Sequence, residues 1–220
     1  MKKLTTNTLL CLILTLISCN QNPKPEKTII ISNDKTADEN IPKRESFKPG
    51  VRNLPNELSA FIPTNYSVLD TASGDLNLDK IKDYIVVLKK NREDTLSDVV
   101  DNPERRPLLI LLSDKENKLK LARRNDNTVY CIDCGGMLGD PFMGITIKNG
   151  YFSVEHYGGS NWRWKSIITY KYSKTEKEWF LYKDGLESFQ ISDTENVKTE
   201  IKTAKDFGRV KFQDFDIYKD

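Results

Sequence analysis

Short apolar runs recur along most of the chain, and in several of them apolar and polar residues alternate. A period of two is typical of β-strands with one buried face. The clearest case is 162–172, where Trp162, Trp164, Ile168, Tyr170 and Tyr172 share one face. The pattern predicts strands at 66–70, 84–90, 107–113, 119–124, 144–148, 151–157, 162–172, 179–183 and 209–215. Helical periodicity is weak, and only short helical turns are expected, at 55–62 and near 203–207.

Two predicted strands contain continuous apolar runs, 85–88 and 108–112, so we expect both of their faces to be covered. Asn149-Gly150 predicts a two-residue hairpin. The strands group into two antiparallel four-stranded meanders, 66–124 and 144–183. Each must cover the apolar face of the other, as a sandwich or as propeller-like blades. The expected fold class is therefore all-β.

The N-terminus carries Lys2 and Lys3, followed by an apolar run at 9–17 that is too short to span a bilayer as a mature helix. It ends in "LISC", 16–19, which resembles the lipobox of bacterial lipoproteins. The resemblance implies cleavage before Cys19, acylation of Cys19 and anchorage to a membrane of the cell envelope through lipid, on its extracytoplasmic side. The alternative is an ordinary secretory signal that contains a cysteine. The expected organisation is a signal peptide at 1–18, a lipidated and disordered tether at 19–50 and one β-rich domain at 51–220.

Charge excludes one class of partner. The chain has 34 basic and 32 acidic residues, and the two lysines of the signal segment are the whole excess. Nucleic-acid binding requires a concentrated basic surface, so we expect no nucleic-acid partner.

The stretch "GDLNLDKIKDYIVVL", 74–88, places Asp75, Asn77 and Asp79 on alternate positions, with Asp83 four residues later. Calcium takes six to eight oxygen ligands, several of them from carboxylates. The pattern D-x-N-x-D-x-x-x-D between two strands resembles the calcium loop of FG-GAP/VCBS repeats, which form the blades of integrin-α-type propellers. The resemblance implies a Ca²⁺ site made by these four side chains and the carbonyl of Ile81. Lys80 stands where that family has glycine, and the alternative is a polar turn whose side chains cap backbone amides.

Cys131 and Cys134 are the only cysteines of the predicted domain. An extracytoplasmic location favours a structural disulfide between them. A redox C-x-x-C pair, a zinc site completed by His156 and Asp133, and free thiols are the other interpretations.

Seven of the eleven glycines lie between Gly135 and Gly159, next to the chain's only histidine and two of its tryptophans. Such a segment is suited to a recognition surface for an envelope protein or glycan, with Asp140, His156, Tyr157 and Trp162 as candidate contact residues. Alternatively the glycines serve hairpins, and Trp162 and Trp164 fill the core.

Catalytic motifs are lacking, and a Ser-His-acid arrangement would have to use His156. The sequence therefore predicts an envelope lipoprotein with a non-catalytic binding domain. The alternatives are a small hydrolase that uses His156 or surface carboxylates, and a periplasmic inhibitor or immunity protein that presents a loop such as 131–143.

Overall fold

Two antiparallel β-sheets dominate the computed structural model, which describes residues 56–219. The described residues fall within one unit, 47–220. The all-β class is confirmed. The predicted signal segment, Cys19 and the predicted tether lie outside the described residues.

Each sheet is a meander, because strands that follow one another in sequence are neighbours in the sheet. The first sheet contains β1 (Tyr66–Gly74), β2 (Asp83–Lys90), β3 (Leu108–Ser113) and β4 (Leu119–Asn125). The second contains β5 (Phe142–Lys148), β6 (Tyr151–Gly159), β7 (Trp162–Ser173), β8 (Glu178–Gln190) and β9 (Asp193–Thr203). Eight of the nine predicted strands are present, and the second sheet has five strands rather than four.

The last predicted strand, 209–215, is wrong. This segment forms a 3₁₀ turn, Phe212–Asp214, and pairs with the second sheet only through a bridge between Lys211 and Phe180. Phe212 is fully buried. The apolar residues of the segment therefore pack on the core, although the segment forms no strand.

Helical structure within residues 56–219 is limited to short turns. These are the 3₁₀ turns Asn56–Phe61, Gly136–Leu138 and Phe212–Asp214, and the helices α1 (Glu93–Leu96) and α2 (Ala204–Phe207). Thr203 and Asp206 form a capping box at the start of α2. None of these helices has the length and apolar character needed to cross a bilayer.

The first sheet separates two hydrophobic clusters. Ile85 and Val87 point into the cluster shared with Phe152 and Tyr170 of the second sheet. Val86 and Leu88 point the other way, into a cluster with Leu58. The continuous apolar runs of β2 and β3 are therefore covered on both faces, as predicted.

The hairpin between β5 and β6 turns at Asn149 and Gly150, whose φ angles are 49° and 75°. Two consecutive positive φ angles are typical of the type I′ turn that Asn-Gly favours. The predicted hairpin is confirmed, and its tip lies against the loop between β1 and β2.

Candidate functional site

The β1–β2 loop, 75–82, brings together three predicted calcium ligands. Asp75, Asp79 and Asp83 each offer one carboxylate oxygen, and these oxygens lie within 4.8 Å of one another. Calcium ligands bind at about 2.3–2.6 Å, so two oxygens on one ion can be as much as about 5 Å apart. The spacing of the carboxylates is compatible with a single ion.

The same side chains also shape the loop. The Asp75 carboxylate accepts hydrogen bonds from the backbone amides of Asp79 and Lys80, at 3.1 and 3.0 Å. The Asn77 amide donates to Asp79 Oδ2 at 2.8 Å, and the backbone amide of Ile81 donates to Asp79 Oδ1, also at 2.8 Å. The loop thus combines the features of both sequence interpretations, converging carboxylates and capped backbone amides.

Asp83, the first residue of β2, is fully buried and holds the loop in place. Its carboxylate accepts from the backbone amides of Leu76 and Ser113, at 2.9 and 3.0 Å. Burial raises the pKa of Asp83; these two hydrogen bonds oppose the rise, and the nearby carboxylates of Asp79 and Asp75 add to it. A cation between the three carboxylates would remove part of this repulsion.

Lys80 has a φ of 71°, in the left-handed region. This is the position at which the resembled family has glycine. A non-glycine residue there costs roughly 1–2 kcal/mol. Lys80 therefore adopts the left-handed conformation at the cost of backbone strain.

The loop also joins the two sheets. The Asp75 carbonyl accepts from the Gly150 amide at 3.0 Å, and the Leu76 carbonyl accepts from Trp179 Nε1 at 3.2 Å. A Cβ at Gly150 would lie 2.9 Å from Leu78 Cγ. The β1–β2 loop is therefore packed directly on the β5–β6 hairpin.

Cys131 and Cys134 form a disulfide, with their Cα atoms 5.1 Å apart. The predicted disulfide is therefore present, and the two cysteines are not free thiols. Since the two sulfurs are bonded to each other, neither is a thiolate ligand for zinc.

The glycines of this segment serve close packing. A Cβ at Gly158 would lie 2.5 Å from Cζ2 of Trp164 and 3.0 Å from Cα of Gly135. The indole of Trp164 therefore lies on bare backbone of β6. Glycine at 158 permits the ring, the β6 strand and the disulfide-bonded loop to approach one another.

Arg106 is fully buried and holds two loops together. Its guanidinium donates two hydrogen bonds to Glu93, at 2.7 and 3.0 Å, and two to Asp140, both at 2.7 Å. Burial alone would lower the pKa of Arg106, but the bonds to Asp140 and Glu93 outweigh it and raise the pKa. Paired in this way, the buried charges are satisfied.

His156 is fully buried, so the expectation that it contributes to an exposed recognition surface is wrong. Its Nε2 accepts a hydrogen bond from the Tyr130 amide at 3.3 Å, and Nδ1 has no partner among the described residues. Burial, with a smaller effect of Arg106, lowers the pKa of His156 to about 3. The ring is neutral and touches no described carboxylate through a hydrogen bond, which gives no support to a hydrolase based on it.

The other recognition candidates lie in different surroundings. Asp140 is committed to Arg106, while Tyr157 is half-buried and its amide donates to the Pro141 carbonyl at 2.8 Å. Trp162 is 45% exposed, so the expectation that it fills the core is wrong, whereas Trp164 is half-buried. The structure thus leaves Trp162 as the exposed aromatic of this set.

Sequence reasoning missed a groove of about 410 Å³ on the second sheet. Its floor comes from β7, β8 and β9, and one wall comes from the C-terminal segment 215–219. The lining combines aromatic, apolar and charged side chains: Tyr130, Trp164, Ser166, Ile168, Asp184, Leu186, Glu200, Lys202, Phe215, Asp216, Ile217 and Lys219. Eight of these twelve residues lie beyond the predicted end of β8, on the unpredicted strand β9 or in segment 215–219, whose sequences carry no recognisable motif.

Trp162 lies two residues before Trp164 in β7, so both side chains are on the groove side of the sheet. The amine of Lys198 lies 5.4 Å from the centroid of the Trp162 ring. Burial raises the pKa of Asp184 in the groove; Lys202 opposes the rise and Glu200 adds to it. The groove therefore offers aromatic faces beside hydrogen-bonding groups of both charges.

Comparison of the chain with models of protein families, with curated proteins and with solved structures finds no match.

Proposed function

We propose that the protein is a lipid-anchored binding module of the bacterial cell envelope, with a calcium-stabilised β-domain that binds an envelope glycan. Anchoring rests on the "LISC" sequence at 16–19. Lasting attachment requires more than one acyl chain, as the resemblance to lipoproteins implies for Cys19.

The groove on the second sheet is the observation that carries the binding function. Small-ligand sites are concave, have volumes of about 300–1,000 Å³ and combine apolar walls with a few polar groups. An aromatic ring suits the apolar face of a sugar, and carboxylates and amines suit its hydroxyl groups. Trp164, with Asp184, Glu200 and Lys202, supplies both kinds of group within one groove.

Calcium has a structural role in this proposal. Asp75, Asp79 and Asp83, together with Asn77 and the carbonyl of Ile81, would hold the ion. Bound there, calcium supplies positive charge that offsets carboxylate repulsion. The loop contacts Gly150 and Trp179, so a stabilised loop also stabilises the contact between the sheets.

One protein preparation tests anchoring and binding together. Cys19→Ala should lose incorporation of labelled palmitate, which the wild type should show. The resulting lipid-free protein is then titrated with peptidoglycan fragments and soluble envelope oligosaccharides, by tryptophan fluorescence and calorimetry.

Binding should weaken roughly tenfold in Glu200→Gln and in Lys202→Met, since each removes a charge-assisted hydrogen bond worth about 1.5–3 kcal/mol. Glu195→Gln, an exposed residue of the same strand that does not line the groove, should bind as the parent does. Unchanged palmitate labelling would reject the anchor. Absence of binding to every glycan, or equal binding by all three variants, would reject the groove.

A further inference from the structure

Two loops at one end of the first sheet expose apolar side chains that the core does not use. They are the β2–β3 loop, 91–107, and the β4–β5 loop, 126–141; β2 and β4 finish at the same end of the sheet, because β3 between them runs antiparallel to both. Val100 is 81% exposed and Met137 is 86% exposed. Leu96 and Val99 of the first loop and Leu138 of the second are also exposed.

These loops are connected and held in place. Ser97 Oγ in the first donates to Asp133 Oδ1 in the second at 2.8 Å. Arg106 binds Glu93 and Asp140, one from each loop, and the disulfide closes a turn of the second. Loops fixed in this way lose little conformational entropy when a partner binds.

The charge around the apolar side chains is one-sided. The two loops together contain eight acidic and three basic residues, and of the basic residues Arg105 is half-buried and Arg106 is buried. Arg106 pairs with Glu93 and Asp140, whereas Asp94, Asp98 and Asp101 are exposed carboxylates beside the apolar positions. Apolar anchors with charged surroundings are typical of protein interfaces, where the charges select the partner and increase the association rate.

We infer that the tips of the two loops, 96–101 and 136–138, form a docking surface for a second protein. That partner presents an apolar pocket with lysine or arginine at its rim. In the proposed envelope location, a membrane surface is a poor partner for these tips, because anionic lipid headgroups and exposed carboxylates carry the same charge and repel each other. The two tips share no residue with the lining of the groove, and the inference does not depend on glycan binding.

Site-specific photo-crosslinking of the full chain in cells of its source organism tests this surface. The crosslinking residue p-benzoylphenylalanine replaces Val100 or Met137, and in the control it replaces Leu121 of β4, which is 49% exposed. We expect a discrete protein adduct at positions 100 and 137 and none at 121. The crosslinked peptide of the partner should contain lysine or arginine within a few residues of the attachment point.

Charge reversal supplies the second readout. Asp94→Lys combined with Asp101→Lys should reduce the adduct roughly tenfold, because both carboxylates are exposed beside the apolar tips. Glu116→Lys combined with Glu195→Lys changes the net charge equally at distant exposed positions and should leave the adduct unchanged.

Three crosslinking results would each overturn the inference: no adduct at either loop position, equal adducts at Leu121, or an adduct that is insensitive to reversal of Asp94 and Asp101. Vesicles of phosphatidylethanolamine and phosphatidylglycerol provide a further comparison. If they bind Cys19→Ala protein, and Met137→Ser abolishes that binding, the surface contacts lipid and not protein. A protein that crosslinks as expected but binds no glycan would retain this inference and lose the proposed function.

Discussion

Protonation of His156 opposes folding, because its imidazole is fully buried in the folded protein. Its pKa is about 3 in the folded protein, below the ordinary value of 6.5. The unfolded chain therefore binds one more proton between these two values. The contribution of neutral His156 to the free energy of unfolding is fully present above pH 6.5 and is lost as the pH falls towards 3.

Between pH 7 and pH 5, this linkage should lower the free energy of unfolding by roughly 2 kcal/mol. His156→Gln keeps an acceptor for the Tyr130 amide but does not titrate in this range. Urea unfolding of both proteins at the two pH values measures the difference. On acidification from pH 7 to pH 5, the variant should lose about 2 kcal/mol less than the wild type. Equal losses in the two proteins would contradict the lowered pKa of His156.

Side-chain burial was the least predictable property of the candidate site. Alternation along 162–172 correctly placed Ile168 and Tyr170 on a buried face. Alternation could not show how far along β7 this face is covered by other elements. Trp162, at the first position of β7, lies on the same face and is exposed. Alternation defines a face of a strand, whereas burial depends on which element lies over each position.

At the scale of elements, the packing of β6 against β7 depends on the absence of a side chain at Gly158. Gly158→Ala would place a methyl group 2.5 Å from the Trp164 ring. Overpacking of this kind costs about 1–3 kcal/mol. The variant should also bind groove ligands more weakly, since Trp164 must move.

Gly185→Ala in β8 is the matched control, because its Cβ would meet nothing closer than the Ile167 carbonyl at 3.7 Å. Alanine there should be neutral or stabilise by up to about 1 kcal/mol. Thermal melting and ligand titration of both variants measure the contrast. Equal stability of the two would show that the Trp164 ring is not confined by β6.

Strands with a buried face were predictable, and the edge of the second sheet was not. β9 has the sequence "DTENVKTEIKT", and every residue up to Lys202 is exposed. It therefore carries no buried periodicity, and its two large apolar residues, Val197 and Ile201, are exposed as well. β9 is held by backbone hydrogen bonds to β8, and such bonds impose no pattern of apolar and polar side chains.

At the scale of the whole molecule, the β1–β2 loop couples local charge to the contact between the sheets. Its carboxylates converge on one side, and its backbone binds Gly150 and Trp179 on the other. Calcium bound to the folded state alone stabilises by RT ln(1 + [L]/Kd), about 2.7 kcal/mol at a hundredfold excess over Kd. Extracellular-type sites have affinities of about 10⁻⁴–10⁻³ M, so the effect should require millimolar calcium.

Melting of the domain in chelator and in about 10 mM calcium, well above that affinity range, is the measurement. Wild-type protein should melt at a higher temperature in calcium, with tryptophan fluorescence and circular dichroism changing together, because the loop contacts both sheets. Asp79→Ala should abolish the response. Glu116→Ala, which removes an exposed carboxylate from the β3–β4 turn, should preserve it.

Lys80 separates strain from charge in the same assay. Lys80→Gly removes the positive charge and the roughly 1–2 kcal/mol strain of a left-handed lysine, whereas Lys80→Ala removes only the charge. Both variants should bind calcium more tightly than the wild type, because a positive charge next to Asp79 in the loop is removed, and only Lys80→Gly should gain stability in chelator. If wild type and all variants melt at the same temperature with and without calcium, the carboxylates serve only to cap the backbone. The loop would then join the sheets through its hydrogen bonds alone, as a polar turn.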